Sequence, residues 1–543
     1  MMNRSRKIVT VLVLSLALAI IIIDTTLLNV SLGYIIRDLN TDIQSIQWVI
    51  TAYSLTLAAL TITGGRLGDL FGRKKMFVTG AAIFALGSFI ASVSQNVATM
   101  IVGESIIEGV GAALMMPATA SILVANFQGR SRAIAFGIWG GVAGASAAVG
   151  PILGGYLTTN YTWRWGFLIN VFVAAVLIVG SLIIRETKDT EEKPSLDWGG
   201  VFLSATGLLT AVFGIIESSR YGWWKAKEDF NLAGNTFSFP FDLSVVPFAI
   251  VIGLGLLSAF LVWEKHIETK GETPLVSLKL FTNRQYSSGV LTTMVLSLGQ
   301  TGIIFAIPVF LQAVRGLDAF ETGVVLLPLS LSLLVVAPLG AFLSGKISPK
   351  LMIQAGLFFN IIAMWVLRQS ISVDATDYSL VPGLILFGGG MGLVMSQINN
   401  FTISAVSVQE AGEASGVNNT LRQVGASLGS AIIGAVLIGA LGTNLVAGVK
   451  ASSVIPFSLK DSIAGQIASQ TSNVEFGGGA KFETKLPENI NSEIVKISHQ
   501  ATVDASKDAL LVGGLFALLG FLVSFILPNI KNVESGKSAA AGH

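Results

Sequence analysis

Long apolar stretches separated by short polar breaks dominate this chain from residue 8 to residue 527. A helix that crosses a bilayer needs about 20 consecutive apolar residues. By that measure the pattern predicts about fourteen spanning helices, at 8–30, 46–65, 76–94, 98–124, 133–157, 163–184, 198–216, 243–263, 286–312, 321–343, 351–367, 380–401, 424–445 and 510–527. The first run follows Arg4, Arg6 and Lys7 and continues past Asp24 to Val30 without a small-x-small cleavage site. It reads as a retained helix rather than a signal peptide. Two breaks are too long for turns. One covers 217–242 and carries Trp223 and Trp224; the other covers 446–507, where helix-like stretches at 459–467 and 490–497 flank Gly477-Gly478-Gly479. The second reads as a solvated cap, or as a gate or docking hairpin for an adaptor.

Basic residues fall in alternate breaks. Arg4, Arg6 and Lys7, then Arg73, Lys74 and Lys75, Arg130 and Arg132, Arg185, Lys188 and Lys193, Lys265, Lys270, Lys279 and Arg284, and Lys346 and Lys350 all lie on one side. The opposite short breaks offer Arg37, Arg315 and Arg368. Lys and Arg accumulate in cytoplasmic loops, so both termini are expected in the cytoplasm of a multi-pass protein of the plasma (inner) membrane.

Composition agrees with a lipid-facing exterior. The chain is 52% hydrophobic and 12% charged over 543 residues, where a soluble domain is about 25% charged. A net charge of +2 gives no reason to expect a nucleic-acid partner. With no cysteine, disulfides and thiolate metal sites are excluded. His266, His499 and His543 lie outside the apolar runs, and the reading finds no metal-ligand cluster, so neither metal nor cofactor is expected. No nucleophile–base set and no G-x-x-x-x-G-K-[ST] phosphate loop is visible, which argues against an enzyme.

The expected fold class is an all-α polytopic membrane protein. Residues 1–190 form a first six-helix half and 191–284 hold two inserted helices with their linkers. Residues 285–445 hold five helices of a second half, 446–507 an extracytoplasmic loop, 508–530 the last helix and 531–543 a cytoplasmic tail. Two parallel halves related by an axis along the membrane normal are a transporter signature.

Three features carry chemistry. The break Gly65-Arg66-Leu67-Gly68-Asp69-Leu70-Phe71-Gly72-Arg73-Lys74-Lys75 joins glycines, an acid and a basic cluster in a turn too short to fold alone. Asp69 can face a helix N-terminus, where negative charge is favoured, and Arg73 can pair with it; Gly65, Asp69, Gly72 and Arg73 are the expected conformational latch. The fifth span carries Gly144, Gly150, Pro151, Gly154 and Gly155. Small residues let helices approach closely and the proline bends its helix, which suits a rocking seal. Third, Asp24, Glu104 and Glu108 lie within apolar runs, where a charge is costly and usually functional. Asp24 lies roughly 24 Å into its helix at 1.5 Å per residue, and the i, i+4 spacing of the glutamates puts both on one face. Gln300 and Gln397, with Asn360, Asn399 and Asn400, are weaker polar cavity candidates; Phe305, Phe310, Met391 and Met395 would supply an apolar wall.

The latch break is similar to the loop between helices 2 and 3 of major facilitator superfamily transporters, G-x-L-x-D-x-x-G-R-[KR]-[KR]. Asp24-Thr25-Thr26-Leu27-Leu28-Asn29-Val30, Gly150-Pro151-Ile152-Leu153-Gly154-Gly155, Trp163-Arg164-Trp165-Gly166-Phe167-Leu168-Ile169-Asn170 and Asn419-Thr420-Leu421-Arg422-Gln423-Val424-Gly425 resemble motifs of the fourteen-helix drug:proton antiporter branch. That resemblance implies a central cavity between the halves. It implies proton-coupled export of hydrophobic, cationic drugs or dyes by alternating access, with lipid as the surrounding partner and a monomer as the working unit. The fourth helix departs from the family pattern R-x-x-Q-G-x-G-x-A, having Ser105 in place of arginine and Glu108 in place of glutamine. The departure puts the coupling ion in question and favours a cationic cargo or another cation as driver. An exporter of a lipid-linked metabolite, amino acid or peptide is an alternative on the same scaffold. A non-transporting membrane sensor is the alternative of another class.

Overall fold

The computed structural model describes residues 4–41, 43–187, 196–232, 235–237, 239–344, 346–470 and 487–530. Within them lie 14 helices long and apolar enough to span a membrane. They are α1 (Arg4–Asp38), α2 (Ile43–Phe71), α3 (Arg73–Ser92), α4 (Val97–Asn126), α5 (Gly129–Asn160), α6 (Arg164–Ser181), α7 (Trp198–Ile216), α8 (Val245–Thr269), α9 (Arg284–Ala313), α10 (Phe320–Leu343), α11 (Pro349–Ser370), α12 (Asp377–Ile403), α13 (Ala411–Ala451) and α14 (Glu488–Ile526). Their outward faces carry large apolar side chains such as Phe172, Leu182, Phe202, Val262 and Trp365. In a soluble protein such a surface would aggregate; around a membrane bundle it meets lipid.

Two apolar cores mark two halves. One draws chiefly on α1–α6, with Leu14, Phe77, Phe84, Ile122 and Phe136, and continues across to Tyr286 and Val290 of α9 and Ala411 and Ala414 of α13. The other draws on α9–α14 around Phe310, Leu357, Met364, Phe401 and Leu510. The halves meet where α2 and α4 pack on α13 and where α5 packs on α10 and α12. The inserted α7 and α8 pair with each other and lean on α2. Asp197 caps α7 by accepting from Gly200 N (2.9 Å) and also accepts from Trp263 Nε1 of α8 (3.0 Å), so one carboxylate ties the pair together.

The structure corrects the expected limits of the late segments. α13 begins at Ala411, well before residue 424, because its first turns bury Glu413, Ser415, Asn418, Asn419 and Thr420 against protein instead of lipid. Hydropathy alone therefore places its start too late. At its far end α13 reaches Ala451, and α14 begins at Glu488 rather than near 510. The described residues of the expected loop at 446–507 are thus largely helical. Leu445, Val449, Ile455, Ile463, Ile490 and Ile494 form its own small core with a short helix, Phe457–Gln470. Gly477-Gly478-Gly479 lies outside the described residues. The other long break, 217–242, contains a short antiparallel pairing of Phe230–Leu232 with Asn235–Phe237.

Candidate coupling site and latch

Asp24 of α1 and Glu104 and Glu108 of α4 come together inside the first half, each with no solvent exposure. One oxygen from each lies within 4.8 Å of the others. The local backbone explains the convergence. Residues Ile101–Glu108 form a π-helical segment within α4, a feature that is rare and often functional. It is seated on α3 through glycine: a Cβ on Gly87 would lie 2.6 Å from Gly103 O and 2.7 Å from Glu108 Cα. Ser105, at the family's arginine position, is buried and donates to Val49 O of α2 at 2.7 Å. It pins the segment to α2 and brings no positive charge.

Asn170 of α6 closes the group. Its amide donates to Asp24 Oδ1 (2.6 Å) and to Glu108 Oε1 (3.2 Å). Asp24 Oδ2, Glu108 Oε2 and both Glu104 oxygens find no partner among the described residues. The buried Tyr53 hydroxyl of α2 is also unpartnered, and its ring lies against Gly109, the residue after Glu108. Three carboxylates this close cannot all be ionised without a counter-ion. Protonated carboxyls or a small cation would each relieve that repulsion. Sequence spacing does not display this cluster, because acids from residues 24 to 108 are gathered by helix packing. The span of the three oxygens suits a hard cation that takes oxygen ligands at about 2.3–2.6 Å.

At one end of the bundle the α2–α3 turn locks onto α13. Asp69 accepts from Arg73 Nε (3.0 Å) and Nη2 (2.8 Å) and from the backbone N–H groups of Gly412 (3.1 Å) and Glu413 (2.8 Å). The carboxylate therefore sits at the N-terminus of α13, where the helix dipole favours it. Arg73, 2% exposed, also donates to the carbonyls of Val408 and Gln409. Gly65 lets α2 cross α13 closely, since an added Cβ there would lie 3.3 Å from Gly416 Cα and closer still to the Gly412 carbonyl. Gly72 has φ +114°, a backbone state that side chains rarely adopt. Beside it Glu186 accepts from Lys74 N and Lys75 N, both at 3.0 Å, capping α3. Glu413 extends the lock: it lies 3.9 Å from Arg66 and accepts from Ser277 N in the segment that follows α8.

The glycines of α5 face both ways. Gly150 and Gly154 pack on Thr26 and Leu27 of α1, while Gly144 and Gly155 pack on Leu333 and Phe320 of α10. Pro151 lies inside the helix, with Gly323 of α10 against it. The motif thus fills the seam between the halves. In the second half, Gln300 lines a small internal cleft with Asn360, Met364 and Phe387, and the Gln300 amide nitrogen and Asn360 amide oxygen are unpartnered there. That cleft lies between α9, α11, α12 and α14 of its half. Gln397 is placed differently: it donates to Gly340 O (3.2 Å) and Ser396 Oγ (3.2 Å), so it braces α12 against α10. Asn399 accepts from Asn418 of α13 at 3.3 Å. The Phe305 side chain lies outside the described residues. Sequence reasoning missed Asn170 and Tyr53; Asn170 stood in a quoted motif, but a neutral polar residue in an apolar run gives no signal of its partner.

Two helical halves joined by an interfacial latch, with ionisable groups buried in one of them, define a secondary membrane transporter rather than an enzyme. Residues 14–430 match the Major Facilitator Superfamily, and the chain belongs to that family. It is similar to the tetracenomycin C resistance and export protein of Streptomyces glaucescens, 29% identical over 440 residues (81% of this chain, 77% of that protein). It is 28% identical over 445 residues to the multidrug resistance protein Stp of Mycobacterium tuberculosis strain CDC 1551 / Oshkosh (82% and 78%). With the multidrug transporter protein MdtP of Bacillus subtilis strain 168 it shares 24% identity over 548 residues (97% and 94%). Among solved structures, the proton:xylose symporter XylE matches with TM-score 0.56 over 97% of each chain at 11% identity, a likeness of fold alone.

Proposed function

We propose that this protein exports hydrophobic, cationic drugs or dyes in exchange for protons, by alternating access between its two halves. The observation that carries the reading is the buried group Asp24, Glu104 and Glu108, gathered with no basic side chain bonded to it among the described residues. Such a group releases a proton when positive charge arrives and takes one back when the charge leaves. Relatives whose names describe drug or antibiotic resistance and export support the cargo class. The bias of Lys and Arg in alternate breaks supports a cytoplasmic position for the latch end and both termini. The locked α2–α13 contact then closes the cytoplasmic side, and the α5 glycines provide the seam on which the halves rock. The protein is tested in liposomes with an imposed pH gradient and ethidium as cargo. Gradient-driven ethidium movement that is lost in Asp24→Asn is the expected result; movement independent of the gradient contradicts proton exchange.

A second reading concerns the driving ion. The spacing of the three carboxylate oxygens within 4.8 Å favours a hard metal cation as occupant. Sodium-gradient-driven ethidium movement at equal pH on both sides supports it, and indifference to sodium removes it.

A further inference from the structure

Arg422 lies in α13, eleven residues on from Ala411, which is roughly 17 Å along the helix at 1.5 Å per residue. The hydrocarbon core is about 30 Å thick, so a guanidinium about three turns in from the latch end of this 41-residue helix falls within the span and not at its first turn. It is only partly buried. Every ion pair of the described residues runs between other groups, and no described hydrogen bond reaches it. An unpaired charge at this depth is costly and marks a functional position by default.

Its surroundings are polar on one face. Asn418, one turn earlier at i−4, shares the face of Arg422. Asn418 donates to Asn399 of α12, while its own Oδ1 and the Oδ1 of Asn400 are buried without a partner. The neighbouring positions of α13 are committed elsewhere: Leu421 and Val424 pack with Val417 and Leu208 of the α2–α7–α8 contact, and Gly425 receives Met294 of α9. α13 is also the helix of the second half that touches α2 and α4 of the first. Arg422 therefore stands at the boundary of the halves with no described hydrogen bond or ion pair.

A guanidinium is a fork of donors matched to a carboxylate or phenolate oxygen. We propose that Arg422, flanked by Asn418, is an anion-recognising subsite that binds an ionised oxygen of an aromatic cargo. Resting on the exporter reading, it widens the cargo class from simple cations to molecules carrying an acidic oxygen. The first half supplies an acidic pole and the second half a basic one, so an amphoteric aromatic molecule engages both.

The test is binding of fluorescein, an aromatic anion, and of ethidium, an aromatic cation, to the purified full-length protein by fluorescence anisotropy. Wild type binds both. Arg422→Gln weakens fluorescein by about 10- to 100-fold, the loss of a charge-assisted hydrogen bond, and leaves ethidium within about twofold. Arg422→Lys restores part of the fluorescein affinity. Ethidium binding serves as the control for folding. Wild type that fails to bind fluorescein, an Arg422→Gln protein that retains it, or equal weakening of both probes overturns the subsite. Failure of the exporter reading is read separately, as wild-type liposomes that bind these probes but move neither.

Discussion

Replacing Asp69 by asparagine tests the latch with an effect large enough to measure. Asp69 accepts four hydrogen bonds, two from Arg73 and two from the N-terminus of α13. Asparagine keeps the shape but loses the charge, and its NH2 group faces donors. Arg73 is then buried without its counter-ion. Removing one partner of a buried ion pair costs about 3–5 kcal/mol. The loss applies only while the halves are locked, because Arg73 regains water once α13 moves away. At 1.36 kcal/mol per factor of ten, the locked-to-open ratio falls by about 150- to 5,000-fold. The chain has no cysteine, so a single reporter can be read without background. Ala414 is fully buried beneath the latch and suits that role as Ala414→Cys. In the wild-type background a water-soluble maleimide labels it slowly. In Asp69→Asn the labelling rate rises by about 100-fold or more, and Asp69→Glu gives an intermediate rate. Equal labelling rates in properly folded wild-type and Asp69→Asn proteins would refute the reasoning.

Other outcomes follow from the packing and from one exposed ion pair. Gly150→Ala pushes a methyl group into Thr26 and the Ile23 carbonyl of α1; overpacking of this kind costs about 1–3 kcal/mol, and a lowered Tm with slowed transport is expected. Gly72→Ala forces a side chain onto φ +114° beside the Glu186 carboxylate, a strain of about 1–3 kcal/mol that a thermal melt in detergent detects. Asp38 pairs with Arg164 and accepts from Trp163 Nε1, clasping α1 to α6 at the end away from the latch. The Arg164 guanidinium holds the Asp38 carboxyl below its ordinary value. Its stabilising effect is therefore full above about pH 4, the unfolded carboxylate value, and is lost as pH falls through the lowered folded value. Both side chains are partly exposed, so Asp38→Asn lowers stability by less than about 1 kcal/mol at pH 7, and the difference from wild type shrinks as pH falls below about 4.

Much of the architecture was legible because the membrane imposes a coarse rule. Each span had to be long and apolar, and runs such as 198–216 coincide with the observed helix. The Asp69–Arg73 pair was legible because the two lie one turn apart at the end of a span. What stayed hidden depends on partners distant in sequence. Glu104 and Glu108 were visible as buried acids, but their distance from Asp24 is set by the π-helical segment and by the Gly87–Gly103 contact. Neither leaves a hydropathy signal. Asn170 reads as one polar residue in an apolar helix until its amide is found between Asp24 and Glu108. The start of α13 was misplaced for the opposite reason: Glu413, Asn418 and Asn419 look like loop residues, yet they are buried in a protein-lined helix. Gln397 looked like a cavity residue, and only the structure reveals Gly340 as its partner.

The most direct measurement is proton release from the purified, detergent-solubilised protein when ethidium is added, in weakly buffered solution with a pH dye. Wild type is run beside Asp24→Asn, Glu104→Gln and Glu108→Gln. Substrate-dependent release in wild type that is lost in at least one of these variants, with ethidium still bound, is the expected result. Ethidium binding without any proton release in wild type contradicts a role for the buried carboxylates in exchanging protons for cargo.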